Sequence, residues 1–465
     1  MIKAFVISFL FLVIFSSTLF AQERNEMITV IGDSLIGKMI EGESIREVIG
    51  NVTLTQGKVV VTCNRAIQYL SRNEAELIGN VVLKQDSLTI KTEQGFYLGN
   101  SKTTKSVSGI VLDDQKVILS ADSGEYIFTE DKAFFETNVI LRDSAMTLTA
   151  DELTYFQKDD RAISVGNVTI TDENNVITAD SLDHFRNTKQ SIADGNVKIV
   201  SYDNNTIIFG DHLEDYAEKK YTLINENPVL LQIDTIYTAE EESVESYRID
   251  SLIIKCEVME GMRDTANIFK AKDSVKIIRG AFASVNDFTL YLRTDKKIIT
   301  EKMGDEGERP ILWYENSQLT GDSITIYLEE NEIKSLDVNS NAFMLSQSKT
   351  HPERFDQTSS NNLQMHFEER NIKNTKFEGS VYSIYYMFEE EEPSGLTKSS
   401  AKAATIIFFD NEVSEVRLYG SPTSEYHPEN KVIGIERTFT LPKFVLKENR
   451  PQKIDFIMNL EVENE

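Results

Sequence analysis

From residue 28 onward, apolar and polar positions alternate with a period of two, and clusters of Asp, Asn and Gly interrupt the alternation. Val168 and Ile170 alternate with Thr169 and Thr171, a turn follows over Asp172 to Asn175, and Ile177 and Ala179 resume the pattern. One copy earlier, Val139 and Leu141 precede a turn at Arg142, Asp143 and Ser144. Met146, Leu148 and Ala150 then alternate with Thr147 and Thr149. Alternation of this kind, rich in β-branched residues and bounded by turn formers, predicts half-buried strands. No 3.6-residue apolar period of useful length follows the first twenty residues, so the expected fold is all-β.

The strands come in copies. Gly-Asn-Val starts at Gly50, Gly79, Gly166 and Gly195, with Gly109-Ile-Val and Thr137-Asn-Val in the intervening places. Successive starts lie 29, 30, 28, 29 and 29 residues apart, and Asn227-Pro-Val229 is an altered seventh copy. A second marker keeps the same register. Ala121-Asp122, Ala150-Asp151 and Ala179-Asp180 each stand sixteen residues before the next Gly or its substitute. Cys63-Asn64, Thr92-Glu93, Gly210-Asp211 and Ala239-Glu240 fill equivalent slots, and Tyr97, Tyr126, Tyr155 or His184 follows five residues after the small residue. Two markers in phase define a repeat of about 29 residues. Such units stack, each burying its apolar side against its neighbours. At one strand per copy and about 4.8 Å between strands, seven copies extend roughly 30 Å. The glycine is expected where a bend or close backbone approach excludes a Cβ.

Past Ala239 the period loosens. Glu240 to Glu245 is an acidic join, after which strand-like runs return at Ser274 to Ile278, Phe288 to Arg293 and Gly321 to Leu328. Gly321-Asp322 resembles the earlier small-residue-plus-Asp marker. The expected organisation is a signal peptide over residues 1–21, a repeat domain over 22–240, and a second, degenerate domain of the same kind with polar loops and a C-terminal tail over 241–465. A separate fold for the second domain is the other option. Lys3, the apolar run from Ala4 to Phe15 and the small residues before Gln22 give the layout of a secretory signal, too short to span a membrane. No cysteine follows the cleavage region, which argues against a lipoprotein.

Charge narrows the partners. A formal net charge of −27 repels phosphate backbones, so no nucleic acid partner is expected. It also disfavours docking by charge onto anionic headgroups, so a lipid ligand would be held through its hydrocarbon. The two cysteines, Cys63 and Cys256, suit an oxidising compartment, but spacing alone does not say whether they pair. Cys63 fills a small-residue slot, which favours a buried free thiol.

Thr149-Ala-Asp-Glu-Leu-Thr-Tyr155 with Gly166-Asn-Val-Thr-Ile170 resembles the OstA-like family, and Thr178-Ala-Asp-Ser-Leu182 with Gly195-Asn-Val-Lys-Ile199 matches equally well. The resemblance covers residues 28 to 240 closely and 245 to about 425 loosely. It implies a stacked antiparallel β-taco, or open β-jelly-roll, splayed along one side and lined by apolar side chains. It further implies periplasmic binding and transport of lipopolysaccharide toward the outer membrane, through lipid A acyl chains held in the trough. Sheet edges would pair with other lipopolysaccharide-transport components, or head to tail with further copies. The implied location is the periplasm after signal cleavage, with outer-membrane association as a further expectation. No run of ten-residue lipid-facing strands with aromatic girdles follows, so no outer-membrane barrel is expected here.

Within this frame the alternating set assigns the lipid-binding groove to Val81, Leu83, Leu88, Ile90, Val139, Leu141, Met146, Leu148, Val168, Ile170, Ile177, Val197, Ile199 and Ile208. The competing reading is an exported structural or adhesive β-solenoid whose same residues close on one another as a core. No catalytic residue, metal site or cofactor is expected. Gly32-Asp-Ser-Leu35 matches the nucleophile block of GDSL esterases, but none of the five histidines has Asp three residues before it, and the α/β pattern is missing. Asp122, Asp151, Asp180 and Asp211 lack the dense ligand loop of a cation site and are expected to make turn or strand-end hydrogen bonds. His212 beside Asp211 is too little for a metal site.

Overall fold

The computed structural model describes residues 27–457, apart from 204, 239–245, 266, 305, 330–331, 369–370, 391 and 410–411. The expected signal peptide and the acidic join at 240–245 lie outside the described residues. Described pairings are antiparallel throughout, and helix is confined to short turns. The all-β expectation holds. The described residues form two compact units: one from 27–116 together with 123–130, the other from 117–122 together with 131–457.

In the second unit the strands Lys132–Arg142, Thr147–Phe156, Arg161–Thr171, Asn175–Phe185, Gln190–Ser201 and Thr206–Tyr216 follow one another as a meander. Each 29-residue copy therefore supplies two strands. The advance per copy is about 9.6 Å, twice the one-strand expectation. The pairing also continues from Val229–Thr238 to Ser246–Lys255 across the undescribed join.

Each strand is creased at its middle. Val165 pairs with Ser181 and Val168 with Ala179, so Gly166 and Asn167 together oppose the single residue Asp180. This is a bulge, which bends the strand and breaks the ladder locally. Both bulge residues are left-handed, Gly166 at φ 78° and Asn167 at φ 46°. Glycine is required at 166 for a second reason: a Cβ there would collide with the Asp151 carboxylate. Asparagine tolerates the left-handed region, and its amide donates to that same carboxylate (2.8 Å). Asn138 to Asp122 (2.7 Å) and Asn196 to Asp180 (2.8 Å) repeat the bond on the outside of the crease. The two sequence markers are thus the two halves of one contact.

The loosened half keeps the device with other residues. Left-handed pairs recur at Asp273-Ser274, Ser340-Asn341, Gly379-Ser380 and Gly420-Ser421. Asn341 donates to Asp322 (2.7 Å), the Asp of the degenerate marker. In this half the outer face of one arm is apolar too, and the tail beyond Pro428 lies on it. Gln318 and Gln357 bond the tail backbone at Val445, Lys447, Phe439 and Leu441. Phe456 packs on Val229, Ile253, Ile278 and Trp313.

A Cβ at residue 166 should be costly. Gly166→Ala is expected to lower stability by about 1–3 kcal/mol, and Asn167→Ala by about 1 kcal/mol. The control Thr169→Ala should stay within about 0.5 kcal/mol. Urea midpoints measure all three; equal midpoints for Gly166→Ala and Thr169→Ala would show that the crease does not need glycine.

Candidate functional site: the inner face of the creased sheet

Creasing gives each strand two arms whose inner faces oppose one another. Contacts between opposite strand ends demonstrate it. An eleven-residue strand is about 35 Å long if straight, yet Arg186, in a turn at one end of the strands, lies 3.3 Å from Asp143, in a turn at the other end. In the first unit Gln56 does the same, accepting from the Tyr97 hydroxyl (2.6 Å) and donating to the Gly99 carbonyl (2.9 Å). Further along the second unit the Phe367 ring stands 5.5 Å from Phe282 and 5.4 Å from Tyr314.

Inside, side chains line up rung by rung. On one arm of the second unit an aliphatic ladder runs from Leu119 through Leu141, Leu148, Ile170, Ile177, Ile199, Ile208 and Leu230 to Ile254 and Ile277. It continues through Ser284, Leu312 and Leu319 to Met344, then turns polar at Thr358 and Ser383. The first unit has its own ladder of Leu54, Val61, Leu83, Ile90 and Leu112.

The residues singled out from sequence fall on these faces. Val81, Leu83, Leu88 and Ile90 are buried in the first unit; Val139, Leu141, Leu148, Val168, Ile170 and Val197 are buried in the second. Met146, Ile177, Ile199 and Ile208 are half-exposed. Leu141, Leu148, Ile170, Ile177, Ile199 and Ile208 are consecutive rungs of the one ladder. The units hold separate members of the set.

The opposite arm escaped the sequence reading. Its inner row pairs Phe135, Leu153, Ser164, Leu182, Ala193, Leu213 and Ile224, all buried. In the middle of the row large residues face small ones, so hydrophobicity alone passes over Ala193 and Ser164. The usable signal was the Tyr slot, since Tyr97, Tyr126 and Tyr155 are fully buried inner residues. Between the arms, Ile277, Ser284 and Leu312 on one side and Ile298, Thr300 and Ile326 on the other bound a cavity of about 30 Å³. The buried hydroxyls of Ser164 and Thr300 have no hydrogen-bond partner.

Residues 27–180, which hold the most regular copies, match the family model of OstA-like proteins. The chain carries an OstA-like domain. No curated protein matches the chain. The OstA-like family serves lipid transport and binding rather than catalysis. Within the OstA-like domain the esterase-like block is structural: Asp33 accepts from the Asn51 amide (2.9 Å), and Ser34 opens the exposed strand Ser34–Ile40. Asp122, Asp151 and Asp180 bond the crease asparagines.

Beyond the OstA-like domain, His212 contacts Asp194 (2.5 Å) and Glu214 (3.4 Å), and the hydrogen bond to Asp194 lifts its imidazole above the usual range. Burial holds His184 below it. Among the described residues, no cluster of three metal-ligating side chains occurs, and no helix is long and apolar enough to cross a membrane.

Cys63 and Cys256 are free and buried in equivalent positions, each thiol donating to the carbonyl two residues on. Burial pushes both thiols up, Cys256 to about 12. Since the thiolate is the nucleophile, neither should be alkylated by iodoacetamide at pH 8 until denaturant is added; rapid native labelling of Cys256 would contradict its burial. Gln56→Ala should unpin the mouth of the first unit, lowering stability by about 1–3 kcal/mol and speeding amide exchange at Gly99; unchanged exchange there would count against the bridge.

Proposed function

We propose that the chain binds lipopolysaccharide through its lipid A acyl chains, within the creased sheet, and passes it across the periplasm toward the outer membrane. The observation that carries this reading is the inner aliphatic ladder from Leu119 to Met344, interrupted only at Ser284. Its length exceeds what a single small core needs, and it offers hydrocarbon contact at every rung. Burying a twelve-carbon chain at about 0.8 kcal/mol per CH₂ gives on the order of 10 kcal/mol before ordering costs. Hydrocarbon contact alone suffices, as the acidic composition requires. Ser164 and Thr300 could bond hydroxyl or ester oxygens of such a chain.

Export by the N-terminal signal and handover to neighbours belong to the same proposal. Ser34–Ile40 pairs with Glu43–Gln56, and Glu412–Tyr419 with Glu392–Phe409. Among the described pairings neither edge strand has a second partner, so each offers a free edge to a transport component or another copy. On the first of them Leu35, Ile36, Met39 and Ile40 are exposed.

The second reading, a structural or adhesive solenoid with a closed core, is favoured by the bridged mouth and by the small cavity between Ile277 and Ile326. Purification of the mature protein under native conditions, followed by mass spectrometry of extracted lipid, separates the two. Co-purified lipopolysaccharide, and displacement of a fluorescent fatty acid by lipid A, are expected for transport; a ligand-free protein that ignores both would favour the solenoid. Ile170, inner and buried, and Thr169, its outward neighbour, locate the lining. Ile170→Asp and the half-exposed Ile199→Asp should weaken fatty-acid binding about tenfold or more, and Thr169→Asp less than about twofold. Equal effects in folded variants would remove the assignment.

A further inference from the structure

The inner ladder is unevenly covered. Leu141 and Leu148 are fully buried, Ile177, Ile199 and Ile208 are half-exposed, and Leu230 and Ile254 are buried again. The strands that carry this open stretch change character on their other arm. There the inner row holding Ala133, Tyr155 and Ala162 upstream becomes His184, Ser191, Asp215 and Thr222. These polar groups are mutually tied. His184 Nδ1 lies 2.9 Å from Ser191 Oγ, and Thr222 and Arg263 both donate to Asp215 (2.7 Å each). One wall offers hydrocarbon and the other offers hydrogen bonds. That is the requirement of an amphiphile lying with its chain inward and its head at the rim.

Just before this stretch the mouth is held by Arg186 and Asp143. Both are largely buried, and neither depends solely on the other. Arg186 keeps Asp160, on its own side of the mouth, at 3.6 Å. Asp143 accepts the backbone N–H groups of Ala145 (2.8 Å) and Met146 (2.9 Å). Against the upward push of burial, these bonds and the guanidinium hold its carboxyl below the usual range. Breaking a buried pair is ordinarily opposed by the orphaned charge it leaves. Here separation leaves each charge with a partner of its own.

Building on the lipid-binding reading, we propose that the stretch over Ile177, Ile199 and Ile208 is a lateral loading port for an acyl chain whose head group rests on the His184–Asp215 side, and that the Asp143–Arg186 pair is the latch across it. The head group is of hydroxyl-bearing class, met by the His184 imidazole, the Ser191 and Thr222 hydroxyls and the Asp215 carboxylate. The chain enters sideways, between the arms, and the aromatic contact of Phe367 with Phe282 and Tyr314 closes the mouth further along.

The test uses the full chain with Cys63→Ala and Cys256→Ala, to which Asp143→Cys and Arg186→Cys are added and joined by a short bismaleimide. Stopped-flow uptake of a fluorescent fatty acid should be about tenfold slower after joining than before, with uptake by Asp143→Asn faster than wild type. A diazirine fatty acid should label peptides spanning 176–215. Uptake at the unjoined rate, or labelling confined elsewhere, would overturn the port. Failure of the unjoined and wild-type proteins to take up any fatty acid would instead overturn the lipid-binding reading itself, and the port with it.

Discussion

Two left-handed residues set against a single residue of the neighbouring strand are the constraint on which the rest of the molecule depends. L-residues avoid this region, so the position is restricted to glycine and asparagine unless strain is accepted. Without the crease, the same strands would make a flat sheet with an apolar face to cover. With it, the sheet covers that face with itself. The carboxylate that receives the asparagine amide fixes successive creases in line, so Gly166, Asn167 and Asp151 form one device rather than three independent preferences.

Much of this is legible in the chain because the device is local in register. Alternation gave the strands, the markers gave the copies, and the residues following each Gly-Asn-Val lie on the inner ladder of their own unit. Legibility failed where physics does not demand apolar residues. The opposite arm packs Ala193 between Leu182 and Leu213, and places Ser164 at zero exposure, so volume matching replaced hydrophobicity as the rule. The creases at Asp273-Ser274 and Ser340-Asn341 carry no Gly-Asn-Val at all. Arg186 and Asp143 are 43 residues apart, and only the crease brings them together. Gly32-Asp-Ser-Leu35, set aside on the sequence as an esterase block, supplies Asp33 to the crease at Gly50 and Asn51.

The second half adds a feature that repeats alone would not require. An antiparallel sheet can leave its outer face to solvent, but Ile253, Ile278 and Trp313 make that face apolar. The tail answers with Phe456 and with backbone groups that Gln318 and Gln357 bond much as a further strand would. Arg354, only 3% exposed, anchors its start through Glu429 (2.6 Å). Degeneracy of the repeat and presence of the tail go together: where the outer face ceases to be polar, a second layer covers it.

An interior that is core at one moment cannot be channel at the same moment. The cavity between Ile277 and Ile326 has room for only a few waters, so guest hydrocarbon at that point requires the arms to move apart. The bonding pattern makes such movement selective. Ladder hydrogen bonds run along the stack within each arm, and parting the arms breaks none of them. Among the described residues, the polar and ring contacts across each unit's mouth are separated: Ile28 with Gln68 and Asn73 and Gln56 with Tyr97 and Gly99 in the first unit, Asp143 with Arg186 and Phe367 with Phe282 and Tyr314 in the second; the apolar contacts between the inner faces are lost with them. The crease, already bent and already outside the regular ladder, is where the angle can change. Stacking thus resists shear along the strand stack of each unit while leaving its mouth soft, and the half-exposed rungs at Ile177, Ile199 and Ile208 follow directly on the Asp143–Arg186 bridge.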